Sequence, residues 1–391
     1  MSDADQATFT KDTGAVLALV AGLLAFAHVA DWAQRFPIVD RLAKRYTVVN
    51  LLDKVPGAMR NGDLNPQDVD ALGAGYYEDL RKDAGPVGLP KEREDLRFRD
   101  DFLRYEMRPF VKRPYPGGMR ISNSFGLANP EYPYEKPPHT RRIALLGDSM
   151  SLGPYGHDYP ALLEDRLNRD YVSPEVRKFE LLNFAVYGYS VLQEMDVALD
   201  KAGEFHPDVY VLALTHLEFI PRAGWRTHIG RLLWSGTDLK YPFLRDVVAK
   251  AGVHPTDRLP TMRIKLAPYS QAVTRWALEQ IRDAVASRGA RMIVILVAAP
   301  IDPNIAVADF NRLHQMADGL GVPVVDLRDT FQSQNLYDLQ VVPRTDIHPN
   351  AKGHELIFQN LLAKLRAQPD AWSALVGGSA HTENSGSAAS H

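Results

Sequence analysis

The chain is 391 residues long, enough for one large domain or for a catalytic domain with smaller additions. Its apolar fraction of 45% and mixed charges are those of a globular protein, and a formal net charge of -3 gives no basic face for nucleic acid. With no cysteine anywhere, disulfides, thiolate metal sites and a cysteine nucleophile are excluded.

Residues 1–12 read as a tail. Within 13–32 the run GAVLALVAGLLAFAHVA, Gly14 to Ala30, is apolar all round and lies just short of spanning length. No small-residue cleavage site follows; Asp31, Trp32 and Gln34 stand there instead. The expectation is therefore an uncleaved anchor that makes the membrane a partner, with a buried hairpin helix as the alternative. The flanking charges point inward: only Lys11 precedes the run, while Arg35, Arg41, Lys44 and Arg45 follow it. Residues 33–138 read as a helical and irregular region. Asn65 can cap a helix that Pro66 opens, with Val69, Leu72, Tyr76, Tyr77 and Leu80 at helical spacing. From Gly85 to Pro138 the chain is rich in Pro, Gly and charge, without a period.

A regular alternation occupies 139–368. Apolar runs predict strands at Arg141–Gly147, Phe179–Val186, Asp208–Leu214, Arg291–Pro300 and Pro323–Leu327. Helical spacing marks Tyr159–Leu167, Val191–Ala202, Tyr269–Arg288, Val307–Gly319 and a last helix that Asn350 caps. An insertion at 218–267, with Trp225, Arg226 and Trp234, shows no clear period and reads as a cover or as a sugar-gripping surface. A tail follows from 369, disordered from 377. Apolar strands alternating with amphipathic helices predict an α/β fold, a five-stranded parallel sheet covered on both faces. Sites in such sheets form at the carboxyl ends of the strands.

Three strand ends carry suggestive residues. Gly147-Asp148-Ser149 follows the first strand, where a serine on a tight turn exposes its hydroxyl, although a plain helix cap explains the same residues. Gly188, in NFAVYGYS after the second strand, can present a backbone N–H, or serve only as a turn. Asp346-Ile-His348-Pro-Asn350 precedes the last helix. A histidine can take the serine proton, and a carboxylate two residues away can hold the imidazole. His348 and His354 are six apart, not on one helical face, which argues against a zinc pair.

Taken together, these blocks resemble the GDSL/SGNH hydrolase superfamily. The resemblance covers about Ile121 to Leu365, with GDS and DxHPNxxGH as its specific part, and the lead-in looks like a bacterial, N-terminally anchored subgroup. It implies a flavodoxin-like three-layer sandwich, the SGNH hydrolase fold. It also implies Ser149 as nucleophile, His348 as base, Asp346 as its orienting carboxylate, and Ser149 and Gly188 N–H groups as oxyanion donors. The third block departs: where the family has GxND, this chain has Ala213-Leu-Thr215-His216-Leu-Glu218. Either His216 or Thr215 then donates in place of the missing asparagine, or the hole has only the N–H groups of Ser149 and Gly188. No metal or organic cofactor is required. The leading expectation is a serine esterase acting on a small-molecule or carbohydrate ester. The alternatives are O-acyl transfer to a polysaccharide or other hydroxyl acceptor, and a catalytically weak domain that binds a glycan or a partner. Domains of this kind usually act outside the cytoplasm, so the resemblance places this one in the periplasm or beyond, against the charge flanks.

Overall fold

The structure is a computed structural model and describes residues 95–219 and 224–377. The apolar run at 13–32 and the helix expected from Asn65 lie outside the described residues. No described helix is long and apolar enough to cross a membrane.

Two antiparallel hairpins come first. β1 (Leu96–Phe98) pairs with β2 (Tyr105–Met107), and β3 (Lys112–Tyr115) pairs with β4 (Gly118–Ile121) around Pro116 and Gly117. The irregular stretch expected here is therefore partly ordered. Its Pro and Gly are turn residues between strands too short to show a period.

The alternation then runs β5 (Thr140–Leu146), α1 (Tyr159–Asp170), β6 (Lys178–Asn183), α2 (Val191–Leu199) and β7 (Val209–Leu214). Where no period was legible, the insertion forms α3 (Gly224–Ser235), α4 (Pro242–Lys250) and α5 (Leu259–Leu266). It is followed by α6 (Ser270–Ser287), β8 (Arg291–Leu296), α7 (Val307–Asp318) and β9 (Val324–Asp326). A hairpin of β10 (Gln340–Val342) and β11 (Asp346–Pro349) leads into α8 (Ala351–Ala367) and α9 (Pro369–Val376).

β5 to β9 form one parallel sheet in the order β6-β5-β7-β8-β9. Every residue of β7 is buried, as a strand covered on both faces requires. α1 packs on α8 and α2 on α6, the helical layers that cover the sheet. The expected α/β sandwich is thus present. Inside it, Arg142 of β5 is fully buried beside its register partner Glu180 of β6, 2.8 Å away, and also donates to the Tyr134 and Phe205 carbonyls. A buried charge persists only with such complete pairing.

The chain leaves β5 toward β6 and then returns across it to β7, so the strand order reverses at the carboxyl end of β5. In doubly wound sheets this reversal opens the crevice where ligands bind.

The C-terminal segment needs correction, and the insertion resolves between its two readings. The tail expected from 369 begins with α9, which buries Ala371, Ala374 and Leu375; the Arg141 side chain donates to its final carbonyls at Ala374 and Leu375. The insertion is a packed cover. Trp225 is fully buried, Arg226 donates to the Phe219 carbonyl, and the Trp234 indole donates to the Asp257 carbonyl.

Candidate active site

Ser149 stands where the strand order reverses. β5 ends at Leu146, and Ser149–Ser151 form a single 3-10 turn. A Cβ on Gly147 would meet the Ser151 hydroxyl at 2.9 Å and the Ala213 side chain at 3.2 Å, so the turn can close against β7 only with glycine there. Asp148 caps the turn by accepting the Met150 N–H at 2.8 Å.

The β10–β11 hairpin carries the other two residues to it. His348 Nε2 lies 2.8 Å from Ser149 Oγ, and His348 Nδ1 lies 2.5 Å from Asp346 Oδ1. Asp346 also accepts the His348 backbone N–H at 3.1 Å. Since an ionised carboxylate only accepts, the ring proton sits on Nδ1 and the Ser149 hydroxyl donates to Nε2. Asn350 locks this hairpin to α8. Its Oδ1 accepts the Lys352 and Gly353 N–H groups, and its amide donates to the Asp338 and Gln340 carbonyls.

Gly188 lies on the turn after β6, the neighbour of β5 in the sheet. The Val186 N–H donates to the Gly147 carbonyl at 3.3 Å, which carries the turn alongside the Ser149 loop. Gly188 takes φ +66°, a conformation that a side chain resists. Among the described residues, neither the Ser149 nor the Gly188 N–H is taken by a backbone carbonyl. Thr215 is otherwise engaged: its hydroxyl donates to Asp148 Oδ2 at 2.9 Å, which spends the one proton it could offer an oxyanion. His216 is buried, and neither ring nitrogen has a hydrogen-bond partner among the described residues. It lies against Phe310 and lines a cavity of about 370 Å³ with Ala298, Ile301 and Phe331 at the carboxyl ends of β8 and β9.

Residues 145–356, more than half of the chain, match the family model described as the GDSL-like lipase/acylhydrolase family. The chain belongs to that family. It is accordingly an ester hydrolase. No curated protein matches it. Similar solved structures include TesA, at 15% identity and a TM-score of 0.37, covering 58% of this chain and 99% of that one. An acetylxylan esterase from Geobacillus stearothermophilus is 14% identical with a TM-score of 0.38, over 57% of this chain and 94% of that one. The psychrotrophic esterase EstA from Pseudoalteromonas sp. is 13% identical with a TM-score of 0.36, over 58% and 97%.

The electrostatics of this acylhydrolase's site follow from burial and pairing. Burial pushes the Asp346 carboxyl up, but the hydrogen bond and charge of His348, with the Arg120 charge behind, outweigh it and hold it below the usual carboxylate value. His216 is held neutral: burial lowers its imidazole to about 4. Asp148 is raised by burial, against the N–H and hydroxyl that it accepts.

Several supporting residues carried no sequence signal. Asn183 donates to the Ser151 carbonyl at 3.0 Å, tying the second block to the first, as Thr215 ties the third to the first. Glu218, in the third block, accepts the Val191 N–H at the start of α2 at 3.1 Å. It faces the buried Glu194, and burial with that neighbour's charge raises Glu194 well above the ordinary carboxylate range. All these contacts join residues distant in sequence, and no local pattern announces them.

Proposed function

We propose that this acylhydrolase is a serine esterase in which Ser149, His348 and Asp346 form the catalytic triad, acting on a small-molecule or carbohydrate ester. The observation that carries the reading is the continuous relay from Ser149 Oγ through His348 to Asp346, at 2.8 and 2.5 Å. As Ser149 Oγ bonds to the acyl carbon, its proton passes to His348 Nε2, and Asp346 stabilises the imidazolium. The carbonyl oxygen becomes an oxyanion, received by the N–H groups of Ser149 and Gly188. Collapse breaks the ester C–O bond as His348 returns the proton to the leaving alcohol. Water then attacks the acyl-enzyme as His348 takes its proton, and collapse breaks the bond to Ser149 Oγ, which regains that proton from His348 as the carboxylic acid leaves.

His216 serves in this reading as the third donor in place of the family's asparagine. Its neutral ring has an N–H with no other acceptor among the described residues, and it stands in the block where that asparagine would be.

The test is hydrolysis of nitrophenyl acetate by the wild type and by Ser149→Ala, with the fold checked by circular dichroism. Turnover should fall by at least about a thousandfold, and covalent labelling by a fluorophosphonate should disappear. A folded Ser149→Ala protein that keeps its turnover would remove the nucleophile assignment.

A further inference from the structure

The turn that carries Gly188 is held by residues outside the family-matched segment 145–356. Tyr187 and Tyr189 flank Gly188, and both are buried. The Tyr105 hydroxyl, from β2, donates to the Tyr187 carbonyl at 2.9 Å. The Tyr189 hydroxyl donates back to the Tyr105 carbonyl at 2.6 Å, with the two rings 5.5 Å apart. Two residues upstream, the Leu103 carbonyl accepts the Gln193 amide at 3.1 Å, while Gln193 Oε1 accepts the Ser190 N–H. From β4 the Arg120 guanidinium lies 4.8 Å over the Tyr187 ring.

One of these contacts has a direct geometric consequence. The Tyr187 carbonyl and the Gly188 N–H are opposite ends of one rigid, trans peptide plane. Glycine tolerates rotation of that plane as no other residue does, so an unrestrained turn could swing the N–H away. A donor held on the carbonyl fixes where the N–H points.

We propose that Tyr105 is a positioning residue for the oxyanion hole, holding the Tyr187–Gly188 peptide so that the Gly188 N–H faces the acyl oxygen. The proposal rests on the assignment of Gly188 as an oxyanion donor. It gives the β1–β2 hairpin a part in positioning the site, through the Tyr105 hydroxyl.

Tyr105→Phe removes that hydroxyl and keeps the ring. In nitrophenyl acetate hydrolysis its kcat should fall about tenfold to a hundredfold with KM changed by less than about twofold, as expected when a donor is mis-aimed. A boronic acid that forms a tetrahedral adduct on Ser149 should lose affinity in parallel. Tyr189→Phe, which releases Tyr105 from the other side, should move kcat in the same direction and guards against a folding defect in the first variant. A merely structural hydroxyl would lower the melting temperature and leave kcat intact well below it. Unchanged kcat and boronic-acid affinity in the folded variants, with Ser149→Ala inactive, overturns the positioning role and leaves the triad standing. Turnover that survives Ser149→Ala overturns the reading on which the role depends.

Discussion

His216 is proposed as an oxyanion donor on its place in the third block and on the state of its ring. It is buried, held neutral, and without a hydrogen-bond partner among the described residues. An unpaired buried imidazole costs about 1–3 kcal/mol, a cost that a ligand atom can offset when it arrives. His216→Ala should therefore lower kcat by about tenfold or more with little change in KM, and His216→Asn should recover part of the loss because an amide offers a similar hydrogen. Steady-state kinetics on nitrophenyl acetate decide it, and full kcat in His216→Ala would leave the hole to backbone N–H groups alone. Ser149, His348 and Asp346 were legible at this scale because each sits in a short motif whose chemistry is local. Thr215 and His216 were not separable in sequence. Only the bond from Thr215 to Asp148 shows which of the two is already committed.

Among the elements, the β10–β11 hairpin matters most, since it carries Asp346 and His348 yet belongs to no large sheet. Asn350 makes four hydrogen bonds where this hairpin meets α8, two as a helix cap and two to the Gln340 carbonyl and the Asp338 carbonyl just before the hairpin. Asn350→Ala should cost about 1–3 kcal/mol of stability, more than a cap alone, because two carbonyls also lose their donor. Urea unfolding measures that loss, and kcat should fall with it as the hairpin loosens around His348. A change in stability within about 0.5 kcal/mol would show that the cap is redundant. The asparagine was readable as a helix cap, but its grip on the hairpin was not, because the two carbonyls lie 10 and 12 residues upstream.

Among the described residues, buried carboxyls set the pH dependence of stability near and above neutrality. Burial, with the Asp148 charge adding to it and the Val191 N–H opposing, pushes Glu218 up to about 8. Burial likewise raises Asp158 and Glu164 to about 7, and Glu194 well above its ordinary value. In the unfolded chain these groups lose their protons near 3.8 to 4.5, so between there and about 8 the folded protein binds more protons than the unfolded one. Their contribution is complete below that window and is lost as pH rises through it. Asp346, held low, acts with the opposite sign and only in acid. His216, His228 and His354, which burial lowers to about 4, about 3 and about 3, take up protons only on unfolding and so oppose this trend below about pH 6.5. Stability should therefore fall from about pH 6.5 to about pH 8, by up to about 1.4 kcal/mol per pH unit for each proton retained. Glu218→Gln should flatten the upper part of the profile. Thermal melts across the range test this, and a stability that holds level or rises toward pH 8 would contradict it.

The sequence by itself determined the layered α/β architecture and singled out Ser149, His348 and Asp346, the residues of the proposed triad. An apolar run between amphipathic helices must be buried on both faces, and GDS and DxHPN place their chemistry within a few residues of a strand end or a helix start. The hairpins at 95–121, the helices of the insertion and α9 became visible only in the tertiary structure. Their strands are three or four residues long, and helices such as α4 and α9 are short, with a buried stripe of a single turn (Leu244, Val247 and Val248; Ala371, Ala374 and Leu375). The same holds for the grip of Tyr105 on the Gly188 turn, a contact 82 residues apart in the chain. A hydrogen bond across that distance depends on how the hairpin docks, and docking is decided by packing of the whole body.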